Sequence, residues 1–363
     1  MTCSSDLATI AGQVVGPSNI VIKAIASNIR HLSAEFLARC SFATGIDAGD
    51  GTIVLAEVLS NSGSVSALEN SYGRDVRLYA GDRFLGVLGN RRSSTSEYGD
   101  CPPNLRIDGT TVLDLLAYGG ILGYGRSAPA EKASKGFLKV RILGAMLESA
   151  APVTLSRLHE FGGQPEACSA PVLLVSGTSA EVGKTTASGG LIRAFKRMGL
   201  RVGAAKLTGT GRLRDILSMQ DAGADHCADF PEVGLASTYT GEEAVLLAAE
   251  RILGTLACAN CQIVLAELGG DIIEANIPYL LSTPNFLRPV RAIVHVAGDV
   301  LGIMGSIDYY RQLGISKRIY LTLPKGRNNL ATQERLRAFG MTAFDPLSAT
   351  DCDRIASSVM QMA

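Results

Sequence analysis

Residues 172 to 187, VLLVSGTSAEVGKTTA, constrain this chain more than any other stretch. A short apolar run meets Gly177, and a helix-forming segment opens at Gly183-Lys184-Thr185-Thr186. A buried strand that breaks at a glycine and soon re-enters a helix points several N–H groups into one concavity. The helix N-terminus and a lysine ammonium face the same space, which suits a polyphosphate. The loop is longer than the common form, with five residues, Thr178 to Val182, between Gly177 and Gly183. The helix continues as LIRAFKRMGL, with Leu191, Ile192, Phe195 and Met198 on one face and Gly199 as its stop. In that setting Lys184 is expected to reach the β- and γ-phosphate oxygens, and the Thr185 hydroxyl to ligate Mg²⁺. Gly177, Thr178, Glu181, Val182, Gly183, Lys184, Thr185 and Thr186 are the candidate nucleotide contacts.

The loop GTSAEVGKTT resembles that of the dethiobiotin synthetase family, whose pattern is Gly-Thr-Asp-Thr-Glu-Val-Gly-Lys-Thr. Gly177, Thr178, Glu181, Val182, Gly183, Lys184 and Thr185 fit it, and Ser179 and Ala180 do not. In RVGAAKLTGTG, Lys206 follows a small apolar run, similar to the family's lysine that holds the substrate carbamate and the γ-phosphate. In IVLAELGGD, Glu267 ends an apolar strand before Gly269-Gly270, and by resemblance it is a magnesium ligand. The resemblance covers roughly residues 170 to 363 and implies a SIMIBI-type P-loop fold with ATP and Mg²⁺. Ser179 and Ala180 replace an acidic group and a hydroxyl that lie near the family's substrate, which argues against the same substrate. The fold, nucleotide and metal are carried over, and the identity of the reaction is not.

At 363 residues two domains are the natural expectation. Apolar residues make up 47% and charged residues 19%, enough for a large core and unlike a disordered chain. Lys plus Arg and Asp plus Glu both number 34, so no global electrostatic pull on nucleic acid or an anionic membrane is expected. No apolar run is long enough to span a bilayer, and MTCSSDLATIAGQVVG lacks the basic start and apolar core of a secretion signal. The eight cysteines are expected to be free thiols of a cytoplasmic protein rather than a disulfide framework. Cys258 and Cys261 form a lone CxxC, weak evidence for zinc and better explained as ordinary thiols in a helix-to-strand turn.

The character of the chain changes near residue 150. Residues 1–162 are expected to form a β-rich domain, 163–170 (GQPEACSA) a linker, and 171–363 the nucleotide-binding domain. Residues 17 to 40 suggest one or two helices, with Ile22, Ile25, Ala26 and Ile29 on one face. The runs GTIVLAEVL, DVRLYA, RFLGVLG, GGILGYG and FLKVRILGAML then read as strands of a small barrel or sandwich. Gly120, Gly123 and Gly125 lack the βαβ context of a dinucleotide fingerprint and are taken as turn glycines. From residue 171, strands expected at 172–176, 201–205, 262–267, 291–297 and 317–323 alternate with helices near 184–198, 212–223, 242–254, 302–313 and 330–339. That alternation predicts an α/β fold with a mostly parallel sheet, whose sites gather beyond the strand carboxyl ends. Lys184, Lys206 and Glu267 all fall there and are the candidate catalytic residues.

Thr208-Gly209-Thr210-Gly211-Arg212 offers hydroxyls, open backbone and a guanidinium that could clamp an anionic substrate. Arg214 and Asp215 are weaker candidates, readable as a solvated charge pair on a helix. The stretch QDAGADHCADFPEVG has loop character; Asp221 or Asp229 could add a metal ligand, while His226 is better taken as structural than as a general base. Glu181 is expected on the metal side of the loop. Pro324, Asn328 and Asn329 are candidates for holding the purine, by analogy with related folds. In GNRRSSTSEYGDCPP, Arg91 and Arg92 could grip an anion, but a solvated loop is the plainer reading.

The favoured expectation is an ATP- and Mg²⁺-dependent enzyme, ligase- or kinase-like, that phosphorylates a small carboxylate or carbamate for attack by an amine or internal nucleophile. One alternative is an acyl-coenzyme A-dependent N-acyltransferase, as in the D-glutamate N-acetyltransferase-like relatives of this fold, with the loop holding the coenzyme A diphosphate. Another is a nucleotide-hydrolysing switch or cofactor-delivery protein. The expected partners are a small anionic molecule and a second copy of the chain in a homodimer, with neither nucleic acid nor membrane.

Overall fold

In this computed structural model, which describes residues 14–15, 20–159, 165–324 and 326–362, the first half of the chain closes a small β-barrel. Its strands are β1 (Ile53–Val58), β2 (Arg83–Leu88), β3 (Val112–Leu115), β4 (Ile121–Ser127) and β5 (Leu138–Glu148). Antiparallel pairing runs β4-β3-β5-β1-β2, and a parallel contact of Ile121 with Val87 and Leu122 with Leu88 joins β2 back to β4. Closure leaves no open edge within this ring. The first residues of β5 alternate strictly, Leu138, Val140 and Ile142 inward and Lys139 and Arg141 outward. The interior is filled by side chains such as Leu55, Phe84, Val87, Leu115 and Leu122.

The helices expected over residues 17 to 40 are mostly absent. Val21–Ile22 and Ala24–Ile25 are short strands, the second paired with β2, and Ser27–Ile29 is a single 3-10 turn. Only Ala34–Arg39 is α-helical, capped by the Ser33 hydroxyl. Branched Val21, Ile22 and Ile25 suit an extended chain, and β2 offers backbone partners beside them. Residues 17 to 19 lie outside the described residues.

The second half is a seven-stranded parallel sheet with helices on both faces. It contains β6 (Val172–Gly177), α1 (Lys184–Arg197), β7 (Val202–Thr208), α2 (Leu213–Asp221), β8 (His226–Asp229), α3 (Glu242–Cys258), β9 (Ile263–Leu268), β10 (Val290–Val296), α4 (Val300–Gln312), β11 (Arg318–Thr322), α5 (Leu330–Ala338), β12 (Ala343–Phe344) and α6 (Ala349–Gln361). The order β8-β7-β9-β6-β10-β11-β12 puts the loop-bearing β6 in the middle. Every residue of β6, β7 and β9 is buried, as strands covered on both faces must be. Leu191 and Phe195 of α1 and Ile355 and Val359 of α6 cover one face. Val245 and Ile252 of α3 and Tyr310 of α4 cover the other.

Residues 226 to 229, expected in a loop, form the edge strand β8, because β7 offers them a parallel ladder from Gly203 to Lys206. The expected linker is not slack where it is described. Along residues 165–170, the Glu166 carbonyl packs so closely on α3 that a methyl group at Gly254 would come within 2.4 Å of it. Residues 163 and 164 lie outside the described residues.

Barrel and sheet meet through charge. Helix α2 has no cap of its own, since the Arg212 side chain makes no capping bond. Its first amides instead donate to the buried carboxylate of Glu69, in a hairpin strand (Ala67–Glu69) of the barrel half, Leu213 N to Oε2 at 2.7 Å and Arg214 N to Oε1 at 3.0 Å. An anion there satisfies orphan donors and complements the helix dipole. Arg30 of the barrel half reaches Asp229 and Glu232, each at 2.7 Å. Burial disfavours the Arg30 charge, yet Asp229 and Glu232 more than restore it. Gly119 and Gly211 allow the two halves to touch, for a methyl group on Gly119 would lie 2.2 Å from the Gly211 carbonyl oxygen. Glu69→Ala strands two amides and part of the Arg212 charge in a buried junction, so urea unfolding should register a loss of about 3 kcal/mol. Glu69→Gln, which keeps an acceptor oxygen, should lose clearly less.

Candidate functional site

The loop after β6 is shaped by two left-handed residues, Glu181 at φ 61° and Gly183 at φ 107°, on either side of Val182. Backbone that alternates hand in this way turns successive N–H groups toward one point. Gly183 is where a side chain would be strained, and it is also the N-cap of α1. Thr178 ties the loop to the next strand by accepting from Gly298 N at 3.0 Å. Lys184 is buried, and its Nζ donates to the carbonyls of Ser179 and Gly270, both at 2.7 Å. Burial holds the Lys184 ammonium below the usual lysine range, so this cation lacks a full counter-charge.

Lys206 and Glu267 face each other at the carboxyl ends of neighbouring strands, opposite one another in the β7–β9 ladder. Lys206 Nζ is bonded to the Asp215 carboxylate and, at 3.0 Å, to the Thr210 carbonyl. Burial opposes its charge, but Asp215 and then Glu267 outweigh that and push it above the ordinary lysine value. Glu267 Oε2 accepts from Thr185 at 3.3 Å and Ser188 at 3.4 Å. Burial, then Asp215, raises this carboxyl. A hydroxyl and a carboxylate side by side at the start of α1 are the oxygen donors a hard divalent cation prefers. The residues present therefore fit Mg²⁺ beside a phosphate, with Thr185 and Glu267 to hold it.

These groups open into a cleft of about 350 Å³ whose far wall is the barrel. Arg91, Tyr118 and Lys132 line it opposite Lys184, Lys206 and Glu267. Arg91, expected on a solvated loop, is half-buried and held by its pairing with the buried Glu97 at 2.9 Å and a bond to Ser96 at 2.6 Å. Its Nε, itself buried, has no partner. Sequence reasoning undervalued Arg91 and missed Tyr118 and Lys132 altogether. The only signal was the RRSSTS composition, since the wall forms through long-range contacts.

Several candidates have other employment. Arg212 lines the cleft, but its guanidinium pairs with Asp75 at 2.9 and 3.1 Å and with Glu69 at 3.4 Å, and stacks over Tyr118 at 4.6 Å. That corrects its assignment as a free substrate clamp. The Thr208 hydroxyl donates to Gly269 O, and Gly209 N donates to Thr238, so these two hold neighbouring loops together. Gly209 and Thr210 do border the cleft. Asp221 is exposed at the far end of α2 and not among the cleft residues, so it is no metal ligand of this site. Thr186 faces a neighbouring groove bordered by Gly190, Arg193 and Pro346. Asn328 donates to Phe344 O and accepts from Gln333, bracing β12. Asp229 is engaged by Arg30, and His226 starts β8 at the amino end of the sheet. Cys258 is exposed against Glu166, Cys261 is buried, and no group of three metal-ligating side chains occurs among the described residues.

No family model matches the sequence, and no curated protein does. Among solved structures, this chain is similar to the signal recognition particle 54 kDa protein of Aeropyrum pernix K1 in complex with GDP, at 19% identity and a TM-score of 0.36. The match covers 57% of this chain and 50% of that one, so the chain spans about half the length of that protein. FtsY from Thermotoga maritima gives 16% identity, a TM-score of 0.36 and coverage of 56% and 76%. A duf1611 family protein from Anabaena variabilis gives 16%, 0.35, and coverage of 56% and 63%. The likeness concerns the fold of a little over half the chain. The loop, its lysine and the parallel sheet stand on their own geometry.

Beneath the loop, His295 of β10 sits 3.1 Å from Ser176 Oγ and 3.0 Å from Tyr310 OH. Burial, then the Lys184 charge, pushes its imidazole down to about 3. The fold keeps it neutral, whereas an unfolded chain protonates it near pH 6.5. Its contribution is complete above that value and is lost as pH falls toward about 3. Urea midpoints taken from pH 7 down to 4 should therefore decline, and His295→Asn should make that decline shallower.

Proposed function

We propose that the protein is an ATP- and Mg²⁺-dependent enzyme that activates a small carboxylate or carbamate held between the barrel and the phosphate loop. The observation that carries this reading is the cleft itself, where Lys184, Lys206, Thr185 and Glu267 converge at the strand carboxyl ends under a barrel wall. The loop and Lys184 would take the triphosphate, with the lysine leaving its two carbonyl partners for phosphate oxygens. Mg²⁺, held by Thr185 and Glu267, would offset the phosphate charge. The Arg91 guanidinium, which lines the opposite wall, suits an anionic substrate there. Catalysis of this kind is mostly positioning and charge stabilisation.

A second reading, acyl transfer from coenzyme A with the loop holding its diphosphate, is favoured by one observation. The Lys206 ammonium, which the dethiobiotin synthetase resemblance assigns to the carbamate, is already neutralised by Asp215. The readings differ in consumption of nucleotide: the first releases ADP and phosphate with product, and the second turns over without ATP. Thermal unfolding with ATP, GTP and acetyl-coenzyme A decides the ligand. ATP with Mg²⁺ should raise the midpoint by several degrees at about 100 times its Kd, and Lys184→Ala should abolish the rise. An equal response to GTP overturns the choice of ATP, and a response to acetyl-coenzyme A alone selects the second reading.

A further inference from the structure

One carboxylate in the cleft has no part in holding nucleotide or metal in the reading above. Glu274 follows β9 on the segment that begins with Gly269-Gly270 and lines the cleft together with Tyr239 and Arg91. Three donors fix it: Tyr239 OH at 3.1 Å and Asp271 N at 3.3 Å on Oε1, and Ser94 N of the barrel at 3.1 Å on Oε2. A carboxylate offers about four acceptor sites, so one remains on the oxygen that only Ser94 touches. The carboxylate lies against Gly270, where a methyl group would meet Oε1 at 2.8 Å. The carbonyl of that same Gly270 receives the Lys184 ammonium. Glu274 thus stands one residue's width from the phosphate-binding lysine, on the side facing the barrel.

We propose that Glu274 is the general base of this cleft, taking a proton from an amine nucleophile that enters beside the barrel wall. The inference rests on the reading of the cleft as a place where an activated carboxyl carbon is attacked, and names the acceptor as an ammonium-bearing molecule. An ionised carboxylate acceptor needs no base, whereas an ammonium must lose a proton before its nitrogen can attack. Two N–H bonds break in turn: the ammonium gives one proton to Glu274, which passes it to water, and the freed nitrogen pair bonds to the acyl carbon. The adduct nitrogen then gives a second proton to Glu274 as the phosphate or thiolate leaves with the electron pair of its own bond. That second proton passes from Glu274 to the leaving group or to water.

The surroundings are arranged for such a task. Burial, then the neighbouring Asp271, raises the Glu274 carboxyl above its ordinary range, while Ser94, Tyr239 and the Asp271 amide restrain the rise. The titratable groups that act on it are Asp271 on its own segment and Tyr239, and Arg91 lines the same cleft and acts on Tyr239. Lys184 of the phosphate loop feels the Glu274 charge as well. Asp271 is itself pinned by Ser94 Oγ at 3.0 Å, so the barrel loop sets the position of the whole segment.

The test uses the full chain and ATP with saturating Mg²⁺ as the probe. Bringing phosphate charge next to Glu274 raises its pKa further, so binding takes up protons near the midpoint, about half a proton for a one-unit shift. Titration calorimetry in buffers of different ionisation enthalpy, from pH 5 to 8, counts them. The uptake should be largely lost in Glu274→Gln. Tyr239→Phe, which removes a bond favouring the ionised form, should move the maximum of uptake to higher pH, a change that a merely structural role would not produce. If ATP binds and Glu274→Gln takes up as many protons as the native chain, the inference falls while the nucleotide reading stands. If neither ATP nor acetyl-coenzyme A binds, the reading of the cleft falls and the inference with it.

Discussion

A buried ammonium needs an anion within reach, and the way Lys206 meets that need organises much of this molecule. Its carboxylate partner, Asp215, sits in the first turn of α2, a helix that supplies no cap for itself. The cap comes from Glu69, 144 positions earlier, in the barrel half. Removing the barrel would therefore expose the α2 amides and loosen Asp215, the nearest of the carboxylates that keep Lys206 charged in its buried site. A buried charge whose partner is loosened costs far more than an exposed ion pair contributes. The barrel is thus bound into the electrostatics of the phosphate site and is more than an appendage to it.

The same logic runs through the rest of the junction. Arg30 is buried because Asp229 and Glu232 face it, and Asp229 in turn adds to the field that keeps Lys206 charged. Arg212 is held by Glu69, Asp75 and the Tyr118 ring, so its planar cation joins a helix start to the barrel. Opposite signs interleave across the interface, with Arg30 and Arg212 paired across the two halves and Arg91 and Lys206 paired within their own. Two cations that line the cleft differ from the rest: the Arg91 guanidinium pairs with Glu97 but leaves its enclosed Nε without a hydrogen bond, and Lys184 bonds to carbonyls while Glu267, Glu274 and Asp271 act on it only through space.

What could be seen in the sequence follows the range of the interactions. The placement of the glycine loop, Lys206 and Glu267 at strand ends around one cleft was legible because each is a local event, an apolar strand followed closely by glycine. The strands and helices of the parallel sheet were legible for the same reason, through short apolar runs alternating with helical periodicity. The edge strand β8 was hidden, since His226 to Asp229 has no apolar run and extends only because β7 lies beside it. The helices expected near the N-terminus failed when tertiary pairing with β2 overrode a helical spacing of isoleucines. The far wall of the cleft was illegible in principle. Ser94 and Glu274 are 180 positions apart, and nothing in RRSSTS indicates which carboxylates it will meet.

Lys184 also sets a condition on how the site can work. Its two carbonyl bonds are charge-assisted, so the loop is held in place by its own lysine. A phosphate that enters must replace both bonds with ones to anionic oxygen. Burial has already lowered the cost of that exchange, for an ammonium short of counter-charge gains more from an anion than from a carbonyl dipole. When Lys184 turns away, the Gly270 carbonyl loses its donor, and the segment from Gly270 to Asn276 loses one of its anchors. The remaining anchors are Ser94 and Tyr239 on Glu274 and the two bonds of Asn276 Nδ2 to Thr238 and Thr240. On the proposed reading, a phosphate in the loop would shift the hold on this segment from Lys184 toward the barrel, the side from which a second reactant would have to come.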